Sequence, residues 1–287
     1  MNRIPYRRGA MSLVLVLSAA PAAAADAIAG TWIADLPGVG GATSFLPNGL
    51  YYEAAVFDGD PVHTGLEWGS YSWDAATGRI SATAFGDLNG DWGFAGDVNG
   101  PQYLTVSGNT GWLFQPGCAD CSAPALRVTA TASPVVGTWV YAAGGATVAA
   151  GALARVASPT DAAASPAATT VLTTFLADGR YVQASVIEAR PDQTGIEWGT
   201  YSWDAATGLL SATALGDLNG DRGIAGDAHG PVYLNVNGDV ASFSQPGCDA
   251  CSVTATRIAS AVPEPSTAVT TLLGLLGLAA FKRRRTG

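Results

Sequence analysis

Apolar and polar residues alternate with a period of two through the middle of the chain. In GLEWGSYSWD (65–74), Glu67, Gly69, Tyr71 and Trp73 share one face of an extended segment, while Leu66, Trp68, Ser70 and Ser72 share the other. Similar short runs follow one another: TWIAD, TSFLP, LYYEAAVF, LEWGSYSW, RISATAF, QYLTV, WLFQ and ALRVTA. Between them stand PNG, DGD, ATG, LNGD, SGNTG and QPG, which are turn compositions. About eight short strands in roughly 100 residues predict an all-β unit, a small antiparallel barrel or sandwich.

The pattern is written twice. Residues 65–97 and 195–227 align without a gap and are identical at 26 of 33 positions, which makes a duplication the economical explanation. The match continues in FLPNG (45–49) against FLADG (175–179), and in QPGCADC (115–121) against QPGCDAC (245–251). Those segments are 130 positions apart, but Gly30-Thr31-Trp32 recurs only 107 positions later as Gly137-Thr138-Trp139. The second copy therefore carries 23 extra residues in an Ala-rich insertion at about 141–166, whose composition predicts a loop. The expected organisation is a β domain over 26–132 and a second over 133–260, two tandem barrels or sandwiches rather than solenoid repeats. The opening Gly-x-Trp, the Asp/Asn-Gly-x-Tyr turn and the meander spacing resemble lipocalin or calycin barrels, a likeness that sets a fold preference and no ligand.

Both ends read as targeting segments. Residues 1–25 combine Arg3, Arg7 and Arg8 with the apolar run MSLVLVLSAA and the small residues PAAAA, the layout of a secretory signal peptide. At the other end Val269 to Phe281 is apolar or small and Lys282, Arg283, Arg284 and Arg285 close it, which predicts a membrane-seeking helix with its basic end cytoplasmic. Val262-Pro263-Glu264-Pro265, an apolar helix and an Arg cluster together resemble the PEP-CTERM sorting signal of Gram-negative bacteria, over 262–287. The resemblance implies recognition of Pro263, Glu264 and Pro265 by an exosortase-type membrane enzyme, removal of the tail beyond about Pro265, and an association with extracellular polysaccharide and biofilm. Outside these signals seven basic residues face 22 acids, so the body is about 15 charges negative. Such a surface disfavours nucleic acid and anionic lipid as partners.

Three sets of residues could carry chemistry. The phrase GDLNGDWGFAGD (86–97) returns as GDLNGDRGIAGD (216–227), and two readings compete for it. Asp87, Asn89, Asp91 and Asp97, with Asp217, Asn219, Asp221 and Asp227, have the oxygen chemistry of a calcium loop, although Trp92, Arg222, Val98 and Ala228 break the helix-flanked pattern. Asn-Gly is equally the preferred pair of a tight hairpin, with the aspartates accepting backbone N–H bonds; on this favoured reading no cofactor is needed. Cys118/Cys121 and Cys248/Cys251 predict one small disulfide ring in each copy, against zinc or redox alternatives that fit an exported β-protein poorly. Glu67 with Tyr71 and Trp73, and Glu197 with Tyr201 and Trp203, place a carboxylate beside aromatics on an inward face, where it could meet a sugar hydroxyl or sit solvated at a barrel mouth.

Catalysis has little support. His63 and His229 correspond to Gln193 and Asn99, so no base is repeated, and a hydrolytic pair of Glu67 with Asp74 fails because the two alternate to opposite faces. The leading expectation is a non-enzymatic, exported protein of the cell surface or matrix, structural or glycan-contacting. The alternatives are a carrier with a small apolar ligand in each barrel and, less favoured, a glycan-processing hydrolase.

Overall fold

The computed structural model describes residues 27–34, 38–90, 92–95, 100–129, 133–141, 169–220, 223–225 and 230–258. The leader, the sorting segment and almost all of the Ala-rich insertion lie outside the described residues. Within them the chain is all-β, as the alternation predicts. The first unit runs β1 (Gly30–Ala34), β2 (Val39–Phe45), β3 (Leu50–Phe57), β4 (Gly65–Trp73), β5 (Ile80–Asp87), β6 (Tyr103–Ser107), β7 (Thr110–Gln115) and β8 (Cys118–Arg127). The second repeats it as β9 (Gly137–Tyr141), β10 (Thr169–Phe175), β11 (Arg180–Ile187), β12 (Gly195–Trp203), β13 (Leu209–Asp217), β14 (Val232–Asn237), β15 (Val240–Gln245) and β16 (Cys248–Arg257).

Each unit is an antiparallel meander whose last strand returns to pair with its first. The second is a closed barrel, sealed by Leu209↔Tyr233 and Leu210↔Val232. The first is an open eight-stranded sheet in which β5 and β6 are the edges, joined by the single bridge Arg79↔Tyr103. It still makes the same seam bond, Leu104 N–H to Gly78 O at 2.8 Å, as Leu234 N–H to Gly208 O at 2.7 Å in the second. The two barrels expected from the sequence are therefore one closed barrel and one that stops a residue pair short of closure.

Large side chains occupy both interiors. Trp32, Phe45, Tyr51, Tyr71, Ile80 and Leu104 fill the first, and Trp139, Phe175, Tyr181, Leu210, Leu234 and Phe243 the second. The Gly-Thr-Trp motif anchors one end of each unit. The Trp32 ring carries the Arg127 guanidinium 4.4 Å above it and donates its N–H to Ile28 O, while Trp139 carries Arg257 at 4.5 Å and donates to Val135 O. Backbone carbonyls accept from the guanidinium groups, Ala29 and Ala27 for Arg127 and Pro134 and Gly238 for Arg257, which also lies 3.7 Å from Asp239, and the stacked rings cover that end of each unit.

A third cluster lies between the units. The outward faces of β3 and β4 present Tyr52, Ala54 and Leu66 to Val182, Ala184 and Ile196 of β11 and β12. Equivalent strands meet, β3 on β11, β4 on β12 and β1 on β9, so the junction is a pseudo-two-fold interface of the kind a symmetric homodimer makes. Near the axis a ribbon of buried hydroxyls runs Ser44–Thr31–Thr138–Thr174, with distances of 2.8, 2.6 and 2.9 Å. Strands buried on both faces explain why LYYEAAVF is almost continuously apolar where a solvent-backed strand would alternate.

Candidate functional site

The inward carboxylates are the most unusual polar groups of the two interiors. Glu67 and Glu197 are each 0% exposed, flanked in register by Glu53 and Asp87, and by Gln183 and Asp217. Glu67 Oε1 accepts the Tyr51 hydroxyl at 2.6 Å and the backbone N–H groups of Phe94 at 2.8 Å and Ala95 at 3.2 Å. Glu197 Oε1 repeats this with Tyr181 at 2.7 Å, Ile224 at 2.9 Å and Ala225 at 3.2 Å. Gly93 and Gly223 make the approach feasible, because a Cβ at either position would collide with the carboxylate.

What the carboxylate holds is the repeated phrase itself. Asn89-Gly90 does not close a two-residue hairpin as the sequence suggests: β5 ends at Asp87 and β6 begins only at Tyr103. The phrase instead opens a long crossing, and its Phe94 side chain enters the barrel to meet Phe45 and Tyr51 edge-on at centroid distances of 5.5 and 5.8 Å. The aspartates do accept backbone N–H bonds, Asp87 from Asn89 at 3.0 Å and Asp217 from Asn219 at 2.9 Å. Asn89 and Asn219 are fully buried, and Asn219 Nδ2 lies 3.5 Å from both Gln183 Oε1 and Ser185 Oγ. Asp91, Asp97, Asp221 and Asp227 lie outside the described residues. Among the described residues no group of three His, Cys, Asp or Glu side chains is arranged to hold a metal ion.

The aromatics predicted beside the carboxylates serve the same packing. Tyr71 and Tyr201 donate their hydroxyls to Leu46 O at 3.0 Å and Leu176 O at 2.8 Å, and Trp73 and Trp203 donate to Leu104 O at 2.9 Å and Leu234 O at 2.8 Å. Their polar ends are thus spent on the chain's own carbonyls. Asp74 sits in an exposed turn, accepting from Ala76 N–H and the Thr77 hydroxyl, away from Glu67. His63 is paired with Asp60 at 2.6 Å on the surface. Cys118–Cys121 and Cys248–Cys251 are disulfides within β8 and β16, each with Cα atoms 5.2 Å apart, and no described cysteine is free for zinc.

Burial pushes the Glu67 and Glu197 carboxyls above the usual carboxylate range, against the donors that favour the anion. Burial and the neighbouring carboxylate push the Tyr51 and Tyr181 hydroxyls up as well, so both remain donors. A carboxyl whose folded pKa is raised binds more protons in the folded state, so its contribution to stability falls as pH rises from the unfolded value of about 4.3 through the folded one. Melting temperature should therefore rise on mild acidification from neutral pH, and the rise should shrink in the Glu67→Gln, Glu197→Gln double variant. Parallel scanning calorimetry at several pH values checks this.

Sequence reasoning found Glu67 and Glu197 but not their partners. Tyr51 and Tyr181 are repeated 130 residues apart, the available signal, yet strand alternation cannot say that their hydroxyls meet a carboxylate on the next strand. The loop N–H groups carry no side-chain signature at all.

Residues 261–285 match the PEP-CTERM protein-sorting motif. The motif marks export through the exosortase system, with anchoring in the membrane in transit and release to the cell surface or extracellular space of a Gram-negative bacterium. Among curated proteins, none matches the chain.

Proposed function

We propose that the exported protein is a non-enzymatic structural module of the cell surface or extracellular matrix. The observation that carries this reading is the fate of the buried carboxylate. In both copies Oε1 of the group best suited to general acid work is engaged by the chain's own tyrosine and loop N–H groups, and large side chains pack the interior around it. A catalytic acid needs a substrate within about 3 Å, and here that position is taken by the protein's own backbone. The same filling argues against a carrier with its ligand inside each barrel. Repetition of the unit, fused back to back through an apolar junction, suits a rigid spacer that resists an unprotected environment.

Extracellular polysaccharide is the partner this reading favours, because the acidic body leaves neutral glycan as a compatible matrix component. The test is twofold. Mature protein collected from the cell surface should co-sediment with the polysaccharide fraction, and it should turn over no glycosidic or ester substrate. Turnover that disappears in Glu67→Gln or Glu197→Gln would replace the reading with a hydrolase, and protein found wholly free in the medium would remove the matrix role.

A further inference from the structure

The pseudo-two-fold junction has two equivalent sides, one on each side of the axis, and the duplicated chain treats them differently. On one side Tyr52, only 7% exposed, sits in the junction cluster and reaches the side chain of Thr170 in the other unit. Shifted by 130 positions, the residues equivalent to Tyr52 and Thr170 are Val182 and Gly40. On the other side, therefore, both halves of the bridging pair have been replaced by small residues. A crevice of about 650 Å³ stands open there, lined by Val56, Val182, Trp198 and Leu215 among others, within the range of small-molecule sites. A Cβ added at Gly40 would find its nearest neighbour, Val56 Cβ, at 3.7 Å, so the missing side chain is not excluded by sterics.

The charges around the crevice select among ligands. Arg180 is paired with Asp178 at 2.7 Å, and Arg127 is stacked on Trp32 and donates to Ala29 O. Both guanidinium groups on the lining are thus engaged, and Asp58 stands exposed on the lining as well. Leu215, the extra residue of the bulge opposite Trp198 and Gly199, is 69% exposed and lies on the same lining.

We propose that this crevice binds one small amphiphile, uncharged or cationic, with its apolar body against Val56, Val182, Trp198 and Leu215 and its polar or amine group at Asp58. The site is distinct from the barrel interiors and independent of the structural role proposed above.

The neutral fluorophore N-phenyl-1-naphthylamine, titrated into mature exported protein, tests it. One saturable site per chain is expected, with energy transfer from tryptophan, displaced by dodecylamine and not by dodecanoate. The Gly40→Thr, Val182→Tyr variant rebuilds the bridging pair and should weaken binding at least tenfold while circular dichroism still reports the folded β-sheet. The reciprocal Tyr52→Val, Thr170→Gly variant opens the second crevice and should raise the stoichiometry from one to two, which keeps the proposal testable if the first variant folds poorly. Unsaturable binding, or binding unaltered in both variants, would overturn the site; displacement by dodecanoate instead of dodecylamine would overturn the ligand class.

Discussion

Glu67→Ala lowers the stability of the first unit by roughly 3 to 5 kcal/mol, and Glu197→Ala does the same to the second. Each substitution leaves a buried tyrosine hydroxyl and two loop N–H groups without their acceptor, and an unsatisfied buried donor costs about 1 to 3 kcal/mol. Loss of the latch also frees Phe94 or Ile224 to leave the interior, adding to the cost. Urea unfolding measures the total, and amide exchange at Phe94, Ala95, Ile224 and Ala225 should accelerate more than exchange in β1 or β9. A loss below about 1 kcal/mol with unchanged loop exchange would mean that the carboxylate does not hold the crossing. Glu67→Gln separates charge from shape, since its amide oxygen can still accept while its amide N–H₂ needs an acceptor of its own.

Leu66→Asp should uncouple the two units. Leu66 is 0% exposed at the centre of the apolar junction, against a cluster that includes Val182 and Ile196. A carboxylate there is buried without a partner, which costs several kcal/mol unless the interface opens to hydrate it. Opening is the cheaper response, because each unit keeps its own interior. The wild-type chain should unfold in urea as one cooperative step, and the variant in two, with the junction hydroxyls of Thr31 and Thr138 losing their mutual bond. A single transition displaced by less than about 1 kcal/mol would show that the units are not energetically joined at this face. Leu66→Ala, which removes volume without adding charge, should instead cost about 2 to 5 kcal/mol and leave the transition single.

Much of the architecture was legible in the chain. Strand existence, meander order and the inward parity of Glu67, Tyr71 and Trp73 follow from a period of two and from the turn residues between runs, because each is decided within a few residues. LYYEAAVF matches β3, Leu50–Phe57, residue for residue. The disulfides were equally legible, since a three-residue spacing in an exported β-protein leaves each cysteine one near partner. The Asn-Gly phrase misled for an instructive reason. Local preference favours a tight hairpin, but the long connection to Tyr103 is bonded to a carboxylate 27 residues upstream, and no local rule reports that capture.

By itself, then, the sequence determined what is local or repeated: the all-β alternation, the duplication with its offset of 130, the cysteine rings and the sorting signal at 261–285. Tertiary structure alone decided what depends on distant segments meeting. The carboxylates became latches because Tyr51, Glu67 and the Phe94 loop converge only when the barrel curls. The outward faces of β3 and β4 became a core because a second copy lies against them. Tyr52 and Val182 look like an unremarkable exchange in an alignment of the two copies; only the pseudo-two-fold axis, which places each opposite the other unit, makes one of them a plug and the other an opening.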